Sequence, residues 1–214
     1  VSENCHIEAM GKAVGELSVA FATLSDKGTT ETAPLSFCEL DTLHPLSGTA
    51  ALVDFIQNPP FEIKREGVAR VRQLLNELKE RHTELERLPR QIVHHDLLIF
   101  NLLTRSDGTM SGVLDFDFAS RDIRAIELAV CLNHLLQFHP GLLEPVRIFM
   151  KVFSAEMRLN ADEMKQLPFL MNIYYVALLT IYVGQHASGK DVQHAFTYIF
   201  GATDSNVQLA SRSQ

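Results

Sequence analysis

The run from Ile92 to Phe118 breaks an otherwise helical pattern, and it limits the folds open to this chain. Ile92 and Val93 suggest one very short strand. Leu102–Thr104 and Ser111–Leu114 suggest two more, joined by Ser106-Asp107-Gly108. Asp-Gly tolerates the positive φ values of a tight turn, so these two strands read as a hairpin. On both sides of this run the apolar period is helical. Residues 5–24 carry Ala9, Ala13, Leu17, Ala20 and Phe21 near one stripe, and a short helix over 47–57 is ended by Asn58-Pro59-Pro60. A long helix over 61–87 is predicted to bury Val68, Val71, Leu74, Leu75, Leu78 and Leu85, with Gly67 allowing close packing. Residues 25–45, rich in Ser, Thr, Gly and Pro, read as a long loop. Further helices are expected over 122–137, 142–158, 161–184 and 189–200, the third opened by Asn160 with Glu163 as its capping-box partner. The last dozen residues are polar and read as a frayed end. The fold class is α+β, mostly helical, with one small hairpin.

With 214 residues and a hydrophobic fraction of 46%, the chain has apolar material for one good core or for a large domain with a small satellite. A net charge of −7 argues against a general nucleic-acid role. Arg65, Arg70, Arg72, Lys79 and Arg81 alternate with Glu62, Glu66, Glu77, Glu80 and Glu84, which describes a solvated helix face. Cys5, Cys38 and Cys131 are odd in number, far apart and without CxxC spacing, so they read as reduced thiols. The apolar run over 167–183 is interrupted by Asn172, Thr180 and several tyrosines and falls short of a membrane span. The expectation is a cytoplasmic globular protein with neither nucleic acid nor membrane as a partner.

Chemistry concentrates in the hairpin segment. Asp96 follows an apolar Ile-Val pair, where a carboxylate can orient a hydroxyl and accept its proton. Asn101, five residues on, has an amide oxygen that can ligate Mg²⁺ and a nitrogen that can tie the loop to Asp96. Asp115 ends the stretch Gly112-Val113-Leu114, with Phe116 and Phe118 suggesting local burial. Alone, Asp96 and Asn101 read equally well as turn residues, while the two phenylalanines weaken a plain surface-loop reading of Asp115. Asp117 is ambiguous, either close to the metal position or turned outward. His95, His134 and His139 lack HExxH or other tight metal spacing and read as structural. Gly184 to Lys190 matches the opening of a Walker A pattern, but Asp191 stands where Ser or Thr is required, and a helix junction is the plainer reading.

Taken jointly, His94-His95-Asp96 through Asn101, then Leu114-Asp115-Phe116, resembles the catalytic segment of the aminoglycoside phosphotransferase and choline kinase superfamily. The stretch Ser111 to Ala119 followed by Glu127-Leu128-Ala129 is most similar to its homoserine-kinase-type branch. The resemblance is sharp over 90–137 and extends weakly over nearly the whole chain. It implies the C-terminal lobe of a protein-kinase-like fold, with leading helices and loop over 5–87, a catalytic and metal-binding segment over 90–120 and a helical substrate-side part over 121–200. It implies Asp96 as catalytic base, His94 as the histidine supporting the loop, and Asn101 and Asp115 as ligands of Mg²⁺ and thereby of ATP. Asp122 and Glu127 match acidic positions that brace the loop. The family usually has Asp where Glu127 stands, Gly where His95 stands, and a polar loop in place of Leu97-Leu98-Ile99-Phe100.

The resemblance also implies a β-rich nucleotide lobe ahead of these elements, with a phosphate-covering loop and a Lys. The chain instead opens on helical periodicity and holds no GxGxxG, so that lobe is expected to be absent from this polypeptide. The leading expectation is an ATP-dependent phosphotransferase acting on a small hydroxyl compound such as an amino alcohol or aminoglycoside, incomplete or inactive as this chain alone. Its partners would be that substrate and either a second copy or a chain supplying the missing lobe. A non-catalytic remnant or interaction module, with Leu97 to Phe100 in an exposed apolar patch, is the second reading. A metal-dependent hydrolase is the third.

Overall fold

The computed structural model describes residues 4–25 and 35–200. The expected frayed end and much of the expected loop over 25–45 lie outside the described residues. Two compact units interleave along the sequence: one contains 4–25 and 88–171, the other 35–87 and 172–200.

The first unit opens with helix α1 (Asn4–Ser25). Its buried stripe is Ile7, Met10, Val14, Ser18 and Phe21, not the alanine stripe expected, since Ala20 is exposed. The cause is Gly11 and Gly15, which lie on the same face and admit helix α6 (Glu144–Glu156). A methyl group added to Gly11 would stand 2.8 Å from the Phe149 carbonyl oxygen, and one on Gly15 would stand 2.7 Å from the Glu156 Cβ. Close backbone approach thus selects the face that the apolar period alone does not.

Strand β1 (Arg90–Val93) is followed by the hairpin of β2 (Leu102–Thr104) and β3 (Met110–Val113). The turn is fixed by Asp107 Oδ1, which accepts from the Thr109 N–H at 2.9 Å and its hydroxyl at 2.7 Å. A fourth strand, β4 (Ser120–Ile123), pairs antiparallel with β1 in the register Gln91 to Asp122 and Val93 to Ser120. Residues 122 and 123, the expected start of a helix, are therefore strand, and helix α5 runs Ala125–Phe138. The Ser-Arg-Asp-Ile segment has no apolar alternation, and its buried Ser120 and Asp122 stay in the core because polar partners meet them there. Gln91 links β1 to α1, donating to the Ser18 carbonyl at 2.9 Å and its hydroxyl at 3.0 Å.

Helix α7 (Ala161–Ala187) starts in this unit with the predicted capping box. The Glu163 N–H donates to Asn160 Oδ1 at 2.9 Å, and the Asn160 N–H to Glu163 Oε2 at 2.8 Å. The same buried Glu163 receives a two-pronged bond from Arg124, whose backbone N–H reaches the Pro89 carbonyl at 3.0 Å. By length and composition α7 is apolar enough to cross a membrane; two thirds (67%) of that window is buried within the protein, as in a core helix.

The second unit holds α2 (Thr49–Gln57), α3 (Arg65–Glu80), α4 (His82–Glu86) and a helix α8 over 193–200. The single helix expected over 61–87 is thus later in starting and is divided at Arg81, while the apolar period continues across the break to the buried Leu85. Gly67 packs directly on the Phe200 ring, as its lack of a side chain allows. Part of the expected loop is ordered: a 3₁₀ turn spans Leu40–Thr42, and Phe37, Leu40 and Leu43 are buried. The Walker-like stretch is the end of α7. Gly189 (φ +87) donates its N–H to His186, and Lys190 donates to Gln185, the paired bonds of a Schellman cap.

Candidate active site

The site is built on the loop between β1 and β2 and lies wholly in the first unit. Asp96 and Asn101 meet directly. Asn101 Nδ2 donates to Asp96 Oδ2 at 2.9 Å and to the Asp96 carbonyl at 2.8 Å. Both amide hydrogens are then used, and Asn101 Oδ1 remains as an oxygen acceptor. Asp115 follows β3, and its neighbour Leu114 donates its N–H to the Asn101 carbonyl at 2.9 Å.

His94 ties these two segments together. Its Nε2 donates to the Leu114 carbonyl at 2.9 Å, and its Nδ1 faces the Asp96 N–H at 3.3 Å. That arrangement places the ring proton on Nε2. Burial pushes the imidazole below its ordinary range, against the Leu114 carbonyl and the carboxylates of Asp96 and Asp115, so it acts as a neutral brace. The Asp96 carboxyl is lifted above its ordinary range, chiefly by burial, while the Asn101 hydrogen bond and His94 pull it back and Asp115 adds to the rise. Asp115 thus acts electrostatically on both His94 and Asp96.

Two residues here take left-handed backbone angles without being glycine: His95 (φ 65) and Asp115 (φ 61). Such a conformation costs about 1 kcal/mol or more. His95 is held by its ring, which meets the Phe118 carbonyl at 2.9 Å and Asp122 Oδ2 at 3.0 Å in full burial. These two bonds offset the backbone cost of a non-glycine residue there. Asp115, by contrast, is exposed, and so are Leu114, Phe116, Asp117 and Phe118. The burial expected from Phe116 and Phe118 is not found; only the Phe116 ring edge is engaged, on Phe21 and His94.

Beneath the loop, α5 supplies a set of contacts of which the sequence reading holds Glu127 alone, as an acidic brace of the loop. Glu127 Oε2 accepts from the His94 N–H, the Cys131 thiol faces the Leu97 carbonyl at 3.6 Å, and His134 Nε2 accepts from the Ile99 N–H at 3.1 Å. The spacing 127, 131, 134 is one helical face, and that period is the signal that would have found it. Leu97 is fully buried under the loop, so the expectation of a wholly exposed Leu97 to Phe100 patch fails at its first residue. Burying such a side chain stabilises by roughly 1.5–3 kcal/mol, which pins the loop to the core. Burial also raises the Glu127 carboxyl to about 7, offset in part by the His94 N–H, and its Oε1 has no hydrogen-bond partner. His95, His134 and His139 do not converge, and among the described residues no three His, Cys, Asp or Glu side chains form a metal-binding group.

Asn101 Oδ1 and the Asp115 carboxylate are oxygen donors on adjoining backbone segments. That donor set fits a hard divalent cation such as Mg²⁺ better than a soft metal.

Comparison with known proteins bears on the family and the fold. The model of the phosphotransferase enzyme (APH) family matches residues 12–148. A homoserine kinase of Rhodopseudomonas palustris (strain BisB18) is 34% identical over 91 residues, which are 42% of this chain and 28% of that protein. The microcompartment-associated aminopropanol kinase superposes with a TM-score of 0.56 at 16% identity, covering 94% of this chain and 61% of its own. The amicoumacin kinase hAmiN, solved with AMP-PNP and Ca²⁺, gives a TM-score of 0.57 at 14% identity over 96% of this chain and 60% of its own. At such identities the superpositions speak for the fold alone, that of a partial kinase-like lobe. The chain spans 28% of the length of that homoserine kinase and about 60% of the length of the two solved kinases. With the family model matching more than half of its residues, the chain belongs to the phosphotransferase enzyme (APH) family.

Proposed function

We propose that this chain is the catalytic and acceptor-side part of an ATP-dependent phosphotransferase that acts on the hydroxyl of a small molecule such as an amino alcohol or aminoglycoside. The observation that carries the reading is the clamp of both Asn101 amide hydrogens on Asp96. A carboxylate oriented by one Asn101 N–H while the other ties the same amide to the Asp96 backbone carbonyl, and made more basic by burial, suits the acceptance of a hydroxyl proton. Asp96 would hold the acceptor hydroxyl and take its proton as the bond to phosphorus forms. His94 would keep the Asp96 and Asp115 segments in register. Asn101 and Asp115 would hold Mg²⁺, which when bound neutralises charge on the ATP phosphates. The activities of the homoserine, aminopropanol and amicoumacin kinases support this class of acceptor. A cytoplasmic location belongs to the same reading.

Slow turnover by this chain alone is part of the proposal, because it holds no GxGxxG to cover the phosphates. The test is single-turnover transfer with the chain in excess over γ-labelled ATP and Mg²⁺, against homoserine, 1-aminopropan-2-ol and an aminoglycoside. Slow, ATP-dependent formation of a phosphorylated alcohol is expected; rates like those of ordinary small-molecule kinases would refute the incompleteness. Release of labelled phosphate to water with no phosphorylated alcohol would favour the hydrolase. Absence of any product would favour the second reading, a non-catalytic module, which the exposed Leu114, Phe116 and Phe118 beside Asp115 support.

A further inference from the structure

We infer that Phe100, backed by Phe138 and His134, is the wall that selects the acceptor, and that the acceptor is an alcohol carrying a flat apolar group. This rests on the phosphotransferase reading and narrows its substrate. The contacts from α5 to the loop advance one helical face at a time, from Glu127 at His94 to Cys131 at Leu97 to His134 at Ile99. These three side chains are buried and hold loop backbone. The next residue on that face, Phe138, does something different. Its ring meets the Phe100 ring at 6.4 Å, and the His134 ring meets both, at 4.7 Å from Phe138 and 6.0 Å from Phe100.

Phe100 is 74% exposed, more than any other large apolar side chain among the described residues. The His134 and Phe138 rings back it on one side, and the rest of the ring faces water. Its Cα lies about 3.8 Å from that of Asn101, whose amide grips Asp96. That adjacency in one short loop is the ground for setting the wall beside an acceptor whose hydroxyl is on Asp96. Burial holds the His134 imidazole down at about 4, and its Nε2 already accepts the Ile99 N–H, so the wall is uncharged at neutral pH. A polyhydroxylated ring would leave its own hydroxyls unpaired there. An aryl or branched aliphatic group gains buried area and ring-edge contact.

The test compares 2-amino-3-phenylpropan-1-ol with 2-aminopropan-1-ol, which differ by the phenyl group, by titration calorimetry on the full chain. The wild type is expected to bind the phenyl compound about tenfold more tightly, the upper end for one aromatic pair. Phe100→Ala should remove that preference without weakening the smaller alcohol, and Phe100→Leu should keep part of it. Phe100 is exposed, so both variants are expected to melt as the wild type does. Equal affinities in the wild type, no binding of either compound, or a preference unchanged in Phe100→Ala would overturn the inference. So would a self-association of the chain that Phe100→Ala abolishes, since the wall would then be covered by a second copy. Transfer from ATP is read separately: a preference that follows Phe100 with no transfer to either alcohol sinks the phosphotransferase reading and leaves the wall standing.

Discussion

The two strand pairs of the first unit are alike in length and pairing and opposite in use. The pair β1–β4 is buried, and its polar side chains point at partners: Gln91 at Ser18, Asp122 at His95. The hairpin β2–β3 is largely exposed, with Leu103 and Leu114 in solvent, and it carries the groups able to do chemistry at its open end, Asn101 where β2 begins and Asp115 after β3. One pair is a fixed frame and the other a presenting edge. Stability and reactivity are therefore placed on different residues, and substitutions should separate them.

Of the two strand pairs, the larger effect is expected on the presenting edge. Asp115→Asn should lower phosphoryl transfer roughly 10²–10³-fold with an unchanged urea midpoint, because the side chain is exposed. Loss of fold together with activity would erase the contrast between the two pairs.

Next comes the frame beneath the loop. Glu127 has a carboxyl raised to about 7 in the folded protein against an ordinary 4.5. Between those values the folded state holds a proton that the unfolded chain has released, so stability falls as pH rises through that window. The full loss is roughly 3 kcal/mol, complete above pH 7 to 8. Urea unfolding from pH 5 to 8 should show this decline in the wild type and not in Glu127→Gln. A flat wild-type profile would mean that the orphaned Oε1 is solvated.

Asp122→Ala removes the acceptors of the buried His95 ring and of the Ile123 N–H, which lies at 2.7 Å. A cost of about 2–3 kcal/mol is expected, read as a lower urea midpoint. The smallest effect belongs again to the hairpin: Leu103→Ser should change stability by less than about 0.5 kcal/mol. If it cost as much as Asp122→Ala, the hairpin would be part of the frame.

The chemistry of this unit is more legible in the sequence than its frame. Asp96, Asn101 and Asp115 stand out because few structural roles need a spaced set of Asp and Asn beside an Asp-Gly turn. Strand β4 does not, because Ser120 and Asp122 are core residues only through partners far along the chain, and no local period records a partner. The helix over 61–87 reads too long for the converse reason: Leu85 keeps the period of α3 although the backbone turns at Arg81. The stripe on α1 is misplaced by the apolar tally because the glycines that let α6 approach count for nothing in it. The exposure of Phe116 and Phe118 has no local signal, since aromatic residues beside a carboxylate suggest burial by composition alone.

Asp96, gripped by Asn101, is assigned as the base, and the nearby exposed Asp117 is not. Single-turnover transfer from labelled ATP by the wild type, Asp96→Asn and Asp117→Asn distinguishes the two carboxylates. A loss of roughly 10²–10⁴-fold is expected for Asp96→Asn, and a rate within about threefold of the wild type for Asp117→Asn, whose side chain lies in solvent. Transfer that survives in Asp96→Asn, or falls equally in both variants, would overturn the assignment.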